Sequence, residues 1–219
     1  MRYKKKIFTI WILLISSVAC GHVPYIEGKD YLADDNFKVE NILQSKAFYA
    51  YLDAAEVDIF VMQVDEPVPI YVNMLIPFCK EYAEFATMYA LTGPGLPQPA
   101  VDLPVALPVG HGALVWDPSY AEDWSERPLM YEMFSDRQYF EGISHRYDAE
   151  LPGEYRVIVW HPQQRAGDYL VVIGKTEEFS PAERKQAYAN VPLIRNHEEL
   201  IGACTYEGDF SQWFLANNS

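Results

Sequence analysis

Alternation of side chains with a period of two is the feature that most constrains the fold of this chain. In VDIFVMQV, residues 57–64, alternate side chains fall on opposite sides of an extended backbone, and both sets are apolar at the centre. A strand that is apolar on both faces is typical of two packed layers of sheet. About eight or nine short segments of this kind, separated by turn residues, occur between residues 45 and 179. The sequence therefore predicts an all-β fold, either a β-sandwich or a jelly roll.

Two segments near the end of this region, GEYRVIVW and DYLVVIG, flank the polar stretch HPQQRAG. We predict that they pair as a β-hairpin with the polar stretch at its tip. One alternating set of side chains should fill the core: Tyr155, Val157, Val159, Tyr169, Val171 and Ile173. The hairpin residues available to a partner would then be Trp160, His161 and Arg165. An earlier pair, SKAFYAYL and VDIFVMQV, is separated only by DAAE, which predicts another hairpin or a tight corner.

Two stretches depart from the strand pattern. Residues 93–112 are dense in proline and glycine, which predicts an extended loop because helices and central strands exclude proline at that density. Ser180, Pro181 and Glu183 have the spacing of a capped helix start with proline at the first helical position. Pro192 should interrupt this helix, so we expect one or two short helices packed on the sandwich.

Several of these residues form motifs. Asp58 and Phe60 lie on an early strand, and the later segments contain a repeated glycine-tyrosine pattern made by Gly153, Tyr155, Gly167, Tyr169 and Gly174. Together they resemble secreted β-sandwich domains of the pre-peptidase C-terminal type and their uncharacterised relatives, over roughly residues 45–179. The resemblance implies a sandwich fold and a non-catalytic accessory role in binding or secretion. The proline-rich loop and the C-terminal helical segment depart from that pattern.

The N-terminus has the features of an export signal. A basic start is followed by an apolar stretch, Ile7–Val18, which has the length of a signal-peptide core and is too short for an ordinary membrane span. Ser17-Val18-Ala19-Cys20 resembles the bacterial lipobox, in which the cysteine receives palmitate-type acyl chains and becomes the new N-terminus. Gly21 in the following position resembles the sorting rule for the outer membrane. A secreted or periplasmic protein that merely retains Cys20 is the alternative.

These observations predict a linear organisation. The expected parts are a lipoprotein-type signal peptide (1–19), a tether (20–44), the β-sandwich (45–179) and a C-terminal helical segment (180–219). Cleavage after Ala19 would leave 13 basic and 31 acidic residues, a formal net charge of −18. Such a charge repels phosphate backbones and excludes nucleic acid as a partner.

Cysteine content suggests one disulfide. With Cys20 lipidated, Cys79 and Cys204 remain, and a bridge is expected in an oxidising compartment. It would close a loop of about 125 residues and stabilise the fold by up to about 5 kcal/mol in the chain-entropy model. Two separate buried thiols are the alternative.

Two side-chain groups are candidates for ligand binding. An acidic loop offers oxygen ligands that suit Ca²⁺, although a solvated acidic surface has the same composition; its carboxylates are Asp117, Glu122, Asp123 and Glu126. Aromatic side chains that could bind a glycan or a protein partner, or simply fill the core, are Trp116, Trp124, Tyr139 and Trp160.

Catalytic signatures are absent from the sequence. It has no G-x-S-x-G, H-E-x-x-H, P-loop or C-x-x-C motif, and the four histidines of the predicted folded region, His111, His145, His161 and His197, lack metal-ligand spacing. A triad from Ser144 and His145 would need a distant carboxylate. We therefore expect a non-catalytic, lipid-anchored envelope protein that binds a protein partner or a glycan. An envelope assembly factor, docking through the C-terminal GDFSQWFL, is the alternative, and a hydrolase is less favoured.

Overall fold

Most of the described chain is in β-strands. The computed structural model describes residues 21–32, 36–117, 127–142 and 144–196. The strands are β1 (Val23–Ile26), β2 (Phe37–Lys38), β3 (Lys46–Leu52), β4 (Val57–Val64), β5 (Val68–Pro77), β6 (Met88–Pro94), β7 (His111–Trp116), β8 (Leu129–Glu132), β9 (Arg137–Glu141), β10 (His145–Ala149), β11 (Gly153–Trp160) and β12 (Gly167–Ile173). A short 3-10 helix spans Lys80–Tyr82, and helix α1 spans Pro181–Asn196.

The strands form two sheets. The seven-stranded sheet has the order β1-β3-β12-β5-β9-β8, with β10 also paired to β5, and the five-stranded sheet has the order β2-β4-β11-β6-β7. Strands β9 and β10 follow the same edge of β5, and their register shifts by one residue between Leu75↔Glu141 and Val72↔His145, as at a β-bulge. The predicted all-β class is confirmed, with two sheets and one short helix.

The segment predicted as a terminal hairpin is instead an arch between the sheets. Strand β11 pairs with β4 and β6 in one sheet, whereas β12 pairs with β3 and β5 in the other. The hairpin prediction is wrong because local alternation shows that a segment is a strand but not which strand it pairs with. The DAAE segment likewise makes a tight corner between β3 and β4, which lie in opposite sheets.

The core lies between the sheets and contains the side chains that the alternating pattern predicts to be buried. Both strands of the arch direct theirs into it, and all six predicted residues are at most 2% exposed: Tyr155, Val157, Val159, Tyr169, Val171 and Ile173. Two motif residues meet here, because the hydroxyl of Tyr169 on β12 donates a 2.5 Å hydrogen bond to Asp58 on β4. This contact joins the two sheets.

The proline-rich segment covers the outer face of the five-stranded sheet. Leu103 and Val105 pack against a cluster that includes Ile158 and Trp160. The segment is extended between β6 and β7, as predicted, and the backbone N–H of Ala113 donates to its Pro97 carbonyl at 2.8 Å. The covering loop therefore removes Trp160 from solvent.

Helix α1 covers part of the outer face of the seven-stranded sheet. Ser180 and Glu183 form the predicted capping box, with the Glu183 N–H donating to Ser180 Oγ and the Ser180 N–H donating to the Glu183 carboxylate. The helix continues through Pro192, contrary to the predicted interruption. Asn190 and Ile194, on either side of the proline, are both buried, and this packing offsets the hydrogen bond that proline removes.

The segment predicted as a tether is partly built into the sheets. Strand β1 pairs in parallel with β3, and β2 pairs in parallel with β4. Strands of two to four residues carry too little alternation to be recognised in sequence, so the sheets begin at Val23 and not at residue 45. Within the described residues, no helix combines the length and apolarity needed to cross a bilayer.

Candidate ligand-binding groove

Two of the predicted ligand-binding aromatics are buried by the fold. Tyr139 is 2% exposed in the cluster on the outer face of the seven-stranded sheet, and Trp160 is 8% exposed beneath the proline-rich segment. Trp116 is half-buried and stacks on His145 with ring centroids 4.2 Å apart. Trp124 lies outside the described residues. Tyr139 and Trp160 are therefore excluded as stacking platforms, because too little of either side chain is exposed to contact a ligand.

The tip of the arch offers little to a partner. His161 is buried and stacks on Phe85 with centroids 5.0 Å apart, and its pKa is lowered by burial and by the nearby Arg165. Arg165 is exposed and donates to the Glu84 carbonyl at 3.2 Å. Of the three predicted contact residues, Trp160, His161 and Arg165, only Arg165 is accessible.

The candidate calcium site falls almost entirely outside the described residues. Asp117 is exposed at the end of β7, while Glu122, Asp123 and Glu126 lie in residues 118–126. Among the described residues, no group of three or more histidine, cysteine, aspartate or glutamate side chains could hold a metal ion. Calcium binding by the acidic loop stays a prediction.

Cys79 is disulfide-bonded, and its candidate partners Cys20 and Cys204 lie outside the described residues. The backbone N–H of the neighbouring Phe78 donates to the Gln138 carbonyl on β9 at 3.0 Å. The adjacent residue, Arg137, donates from its side chain to the Arg195 carbonyl at 3.4 Å. Cys79 therefore lies near the end of α1. The eight residues from Asn196 to Cys204 can span up to about 27 Å, which makes the predicted pairing with Cys204 sterically feasible.

The histidine considered for a catalytic triad has no described catalytic partner. His145 is half-buried between Trp116 and the core, burial lowers its pKa, and its Nε2 accepts and donates no hydrogen bond. Ser144 is exposed at the start of β10. His197 and the C-terminal GDFSQWFL lie outside the described residues, so the predictions that involve them stay untested.

A groove of about 770 Å³ opens at one end of the five-stranded sheet. One wall is the connection from β2 to β3, residues 38–43, and the other is the end of β4 with the following turn, including Gln63, Asp65 and Glu66. Glu154 on β11 also lines the groove. Its volume is in the range of small-molecule and peptide side-chain sites.

Local sequence fixes the first wall. The Val39 N–H donates to the Val61 carbonyl at 2.8 Å, and the side chains of Val39 and Ile42 are buried in the core. Asn41 has a φ of 46°, a left-handed conformation that asparagine tolerates better than most residues. Its carbonyl accepts a 2.9 Å hydrogen bond from Lys46 Nζ. These contacts hold the wall in one position.

The groove is acidic. Its charged lining comprises one basic side chain, Lys38, and four carboxylates, Glu40, Asp65, Glu66 and Glu154. Glu154 is partly neutralised by Arg156, whose Nη2 lies 2.6 Å from its carboxylate. Among the described residues, no aromatic side chain lines the groove. The sequence alone did not predict this site because residues 38–43 are assigned to a tether in the predicted organisation. The signal that could have indicated it is Gln63, a polar residue near the end of β4 that is followed closely by Asp65 and Glu66.

Three carboxyl groups away from the groove are also buried or partly buried, and one of them, Asp58, lies at the opposite end of β4. Burial raises the pKa of Asp58 to about 8, and it raises the pKa of Glu27 to about 7. Asp168 is buried nearby and accepts a 2.5 Å hydrogen bond from the Tyr82 hydroxyl. None of these three carboxyl groups lines the groove, so they bear on stability and not on ligand binding there.

Comparison with known proteins gives no family for the chain: no family model matches it, and no curated protein matches its sequence. The functional argument therefore depends on the geometry and charge of the groove.

Proposed function

We propose that this protein is a lipid-anchored, non-catalytic binding module of the bacterial cell envelope whose groove holds a basic segment of a protein partner. The observation that carries the proposal is the acidic groove of about 770 Å³ at the end of the five-stranded sheet. Acidic lining and a bound lysine or arginine are electrostatically complementary, and the net negative charge of the whole chain would speed their encounter.

A basic peptide fits the groove better than a glycan does. Sugar-binding sites combine polar groups with exposed aromatic rings, and the part of the groove lining that the structure describes contains no aromatic residue. Its carboxylates and the Gln63 amide instead offer acceptors for ammonium and guanidinium groups. The exposed apolar side chain of Leu43 at the rim would contact the methylene stem of such a residue.

The order of strands supports a jelly roll for the sandwich. With β9 and β10 taken as one bulged strand, the pairs β3–β12, β4–β11, β5–β9/β10 and β6–β7 are nested in sequence. A long antiparallel hairpin rolled into two sheets has this pairing. Jelly rolls include many binding domains, which agrees with the accessory role implied by the resemblance to the pre-peptidase C-terminal type.

The lipid anchor is argued from Ser17-Val18-Ala19-Cys20 and from the apolar stretch before it. Gly21 favours the outer membrane as the destination. Intact mass of the protein extracted from its native membrane should show Cys20 as the N-terminal residue carrying acyl chains. A mature protein that begins elsewhere, or an unmodified Cys20, would remove the anchor from the proposal.

Charge reversal tests the groove. The double variant Asp65→Lys/Glu66→Lys should lower affinity for a hexalysine peptide about tenfold, since each exposed ion pair contributes up to about 1 kcal/mol. The matched control is Glu81→Lys/Glu84→Lys, which makes the same change in net charge at exposed positions beyond the other end of the sandwich. Calorimetric titration should show little loss in the control. Equal losses in both variants, or binding only to an oligosaccharide panel, would contradict the proposed ligand.

A further inference from the structure

Gly21, the first residue that the structure describes, lies beside one particular hairpin. Gly21 lies so close to Phe134 that a Cβ at this position would be 2.5 Å from the Phe134 ring. Phe134 lies in the turn that joins β8 and β9. Consecutive Cα atoms are about 3.8 Å apart, so Cys20 is within one residue of this contact. An acyl chain on Cys20 would therefore start next to the turn of the β8–β9 hairpin.

The hairpin turn is held in place by a buried carboxylate. Glu132 is 3% exposed and accepts hydrogen bonds from the N–H groups of Phe134 and Ser135 at 2.8 and 2.7 Å. The hydroxyl of Tyr49 donates to the same carboxylate at 2.7 Å. Arg195 of α1 donates to the carbonyls of Phe134 and Met133, both at 2.9 Å. The position of the turn relative to the sheet is thus fixed by several contacts.

One face of this hairpin exposes apolar side chains. Leu129, Tyr131 and Met133 occupy alternate positions and are 37%, 55% and 53% exposed. The intervening Glu132 is buried, and Met130 packs against the cluster on the outer face of the seven-stranded sheet. Strand β8 is the last strand of that sheet. Three exposed apolar side chains in one row are therefore adjacent to the predicted anchor residue.

The side-chain types around the turn also suit a membrane–water interface. Arg137 and Arg195 lie at the turn, and Arg137 donates to the Arg195 carbonyl. The exposed carboxylate described there is Asp136, which accepts a hydrogen bond from the Tyr131 hydroxyl. Asp136 and the buried Glu132 balance the two arginines in formal charge, so the turn is neutral, whereas the chain as a whole is acidic. Tyrosine and arginine are side chains that membrane–water interfaces favour.

We propose that the exposed face of the β8–β9 hairpin, formed by Leu129, Tyr131 and Met133, rests on the lipid surface into which the acyl chains of Cys20 insert. This inference depends on the proposed lipidation of Cys20. The anchor supplies the affinity, and the hairpin selects one orientation of the sandwich on the membrane, because the two residues between Cys20 and β1 leave little freedom to rotate.

Fluorescence of the full lipidated protein tests the orientation. Single variants Tyr131→Cys and Met133→Cys would carry an environment-sensitive fluorophore, with the protein reconstituted in vesicles of phosphatidylethanolamine and phosphatidylglycerol. Val109→Cys is the matched control, since Val109 is fully exposed in the proline-rich segment that covers the other sheet. We expect blue-shifted emission and several-fold stronger quenching by bromolipids at positions 131 and 133 than at 109.

The outcomes separate the two proposals. Emission and quenching equal at all three positions, in protein whose mass shows acylated Cys20, would overturn the orientation and leave the anchor intact. An unacylated Cys20 in the same mass spectrum would overturn the anchor and the orientation together. All three labels are at exposed positions, so folding should be retained, and circular dichroism of each variant checks this.

Discussion

Asp58 is a carboxylic acid buried between the two sheets. It is 3% exposed, one carboxyl oxygen accepts a hydrogen bond from the Tyr169 hydroxyl, and the other, Oδ1, has no hydrogen-bond partner among the described residues. Burial disfavours the charged form and raises its pKa to about 8. The folded protein therefore keeps a proton on Asp58 that the unfolded chain releases near pH 4, at the ordinary aspartate pKa of about 3.9.

This difference predicts a pH-dependent stability. Between about pH 4 and pH 8 the folded state binds more protons, so the free energy of unfolding should fall as pH rises and level off above the folded pKa. Asp58→Asn keeps an acceptor for Tyr169 but cannot ionise. Urea denaturation should show that the variant gains stability relative to the native protein as pH rises, by on the order of a few kcal/mol at pH 9.

The control for this prediction is Asp148→Asn, at an exposed position on β10. Glu27, whose pKa is also raised by burial, should leave a smaller pH dependence below about pH 7 in the Asp58→Asn protein. If the native and Asp58→Asn proteins had parallel pH profiles, the Asp58 carboxyl would not be protonated in the folded state.

At the scale of elements, α1 is attached mainly by polar contacts. The Asn190 side chain donates to the Pro24 carbonyl at 3.0 Å and to Asp30 at 2.6 Å, and it accepts from Lys29 at 2.5 Å. Ile194 is the fully buried apolar residue of the helix. Because α1 buries little apolar surface against the sheet, we expect the capping box at its N-terminus to contribute measurably to the stability of the helix.

Removing the N-cap tests this expectation. Ser180→Ala should destabilise α1 by about 1 kcal/mol, because the Glu183 N–H loses its hydrogen bond to Ser180 Oγ. Hydrogen exchange of the α1 amides should accelerate accordingly, about fivefold. Ser180→Asp, which retains a capping oxygen, serves as the control and should exchange at nearly the native rate. Unchanged exchange in the alanine variant would mean that docking alone holds the helix.

On the scale of the whole molecule, the disulfide at Cys79 joins the main body to a distant part of the chain. Cys79 follows β5 and lies near β9 and the end of α1. If Cys204 is its partner, Cys79→Ser and Cys204→Ser should destabilise the protein equally, by at most about 5 kcal/mol for a loop of this length. The double variant should match either single one, whereas Cys20→Ala should not alter the unfolding free energy. Non-reducing peptide mapping identifies the pair directly.

A sequence pattern predicts only the structural property on which it depends. Alternation at Tyr155 and Tyr169 correctly identified core-facing side chains, because burial on one face is a property of a single strand. It could not identify the partners of β11 and β12, since β11 pairs with β4 and β12 pairs with β3 across separations of 89 to 127 positions. The same limit applies to the groove, whose walls come from β2, β4 and β11 and meet only after the sheets have formed.

The sequence by itself determined the longer strands, the inward faces, the Ser180 capping box and the acidic character of the chain, because each depends on neighbouring residues or on composition. The tertiary structure alone decided that the last two strands lie in opposite sheets and that Tyr139 and Trp160 are covered. It also decided the contact between Gly21 and Phe134. These are long-range contacts, and their free energy depends on the packing of whole layers rather than on any local pattern.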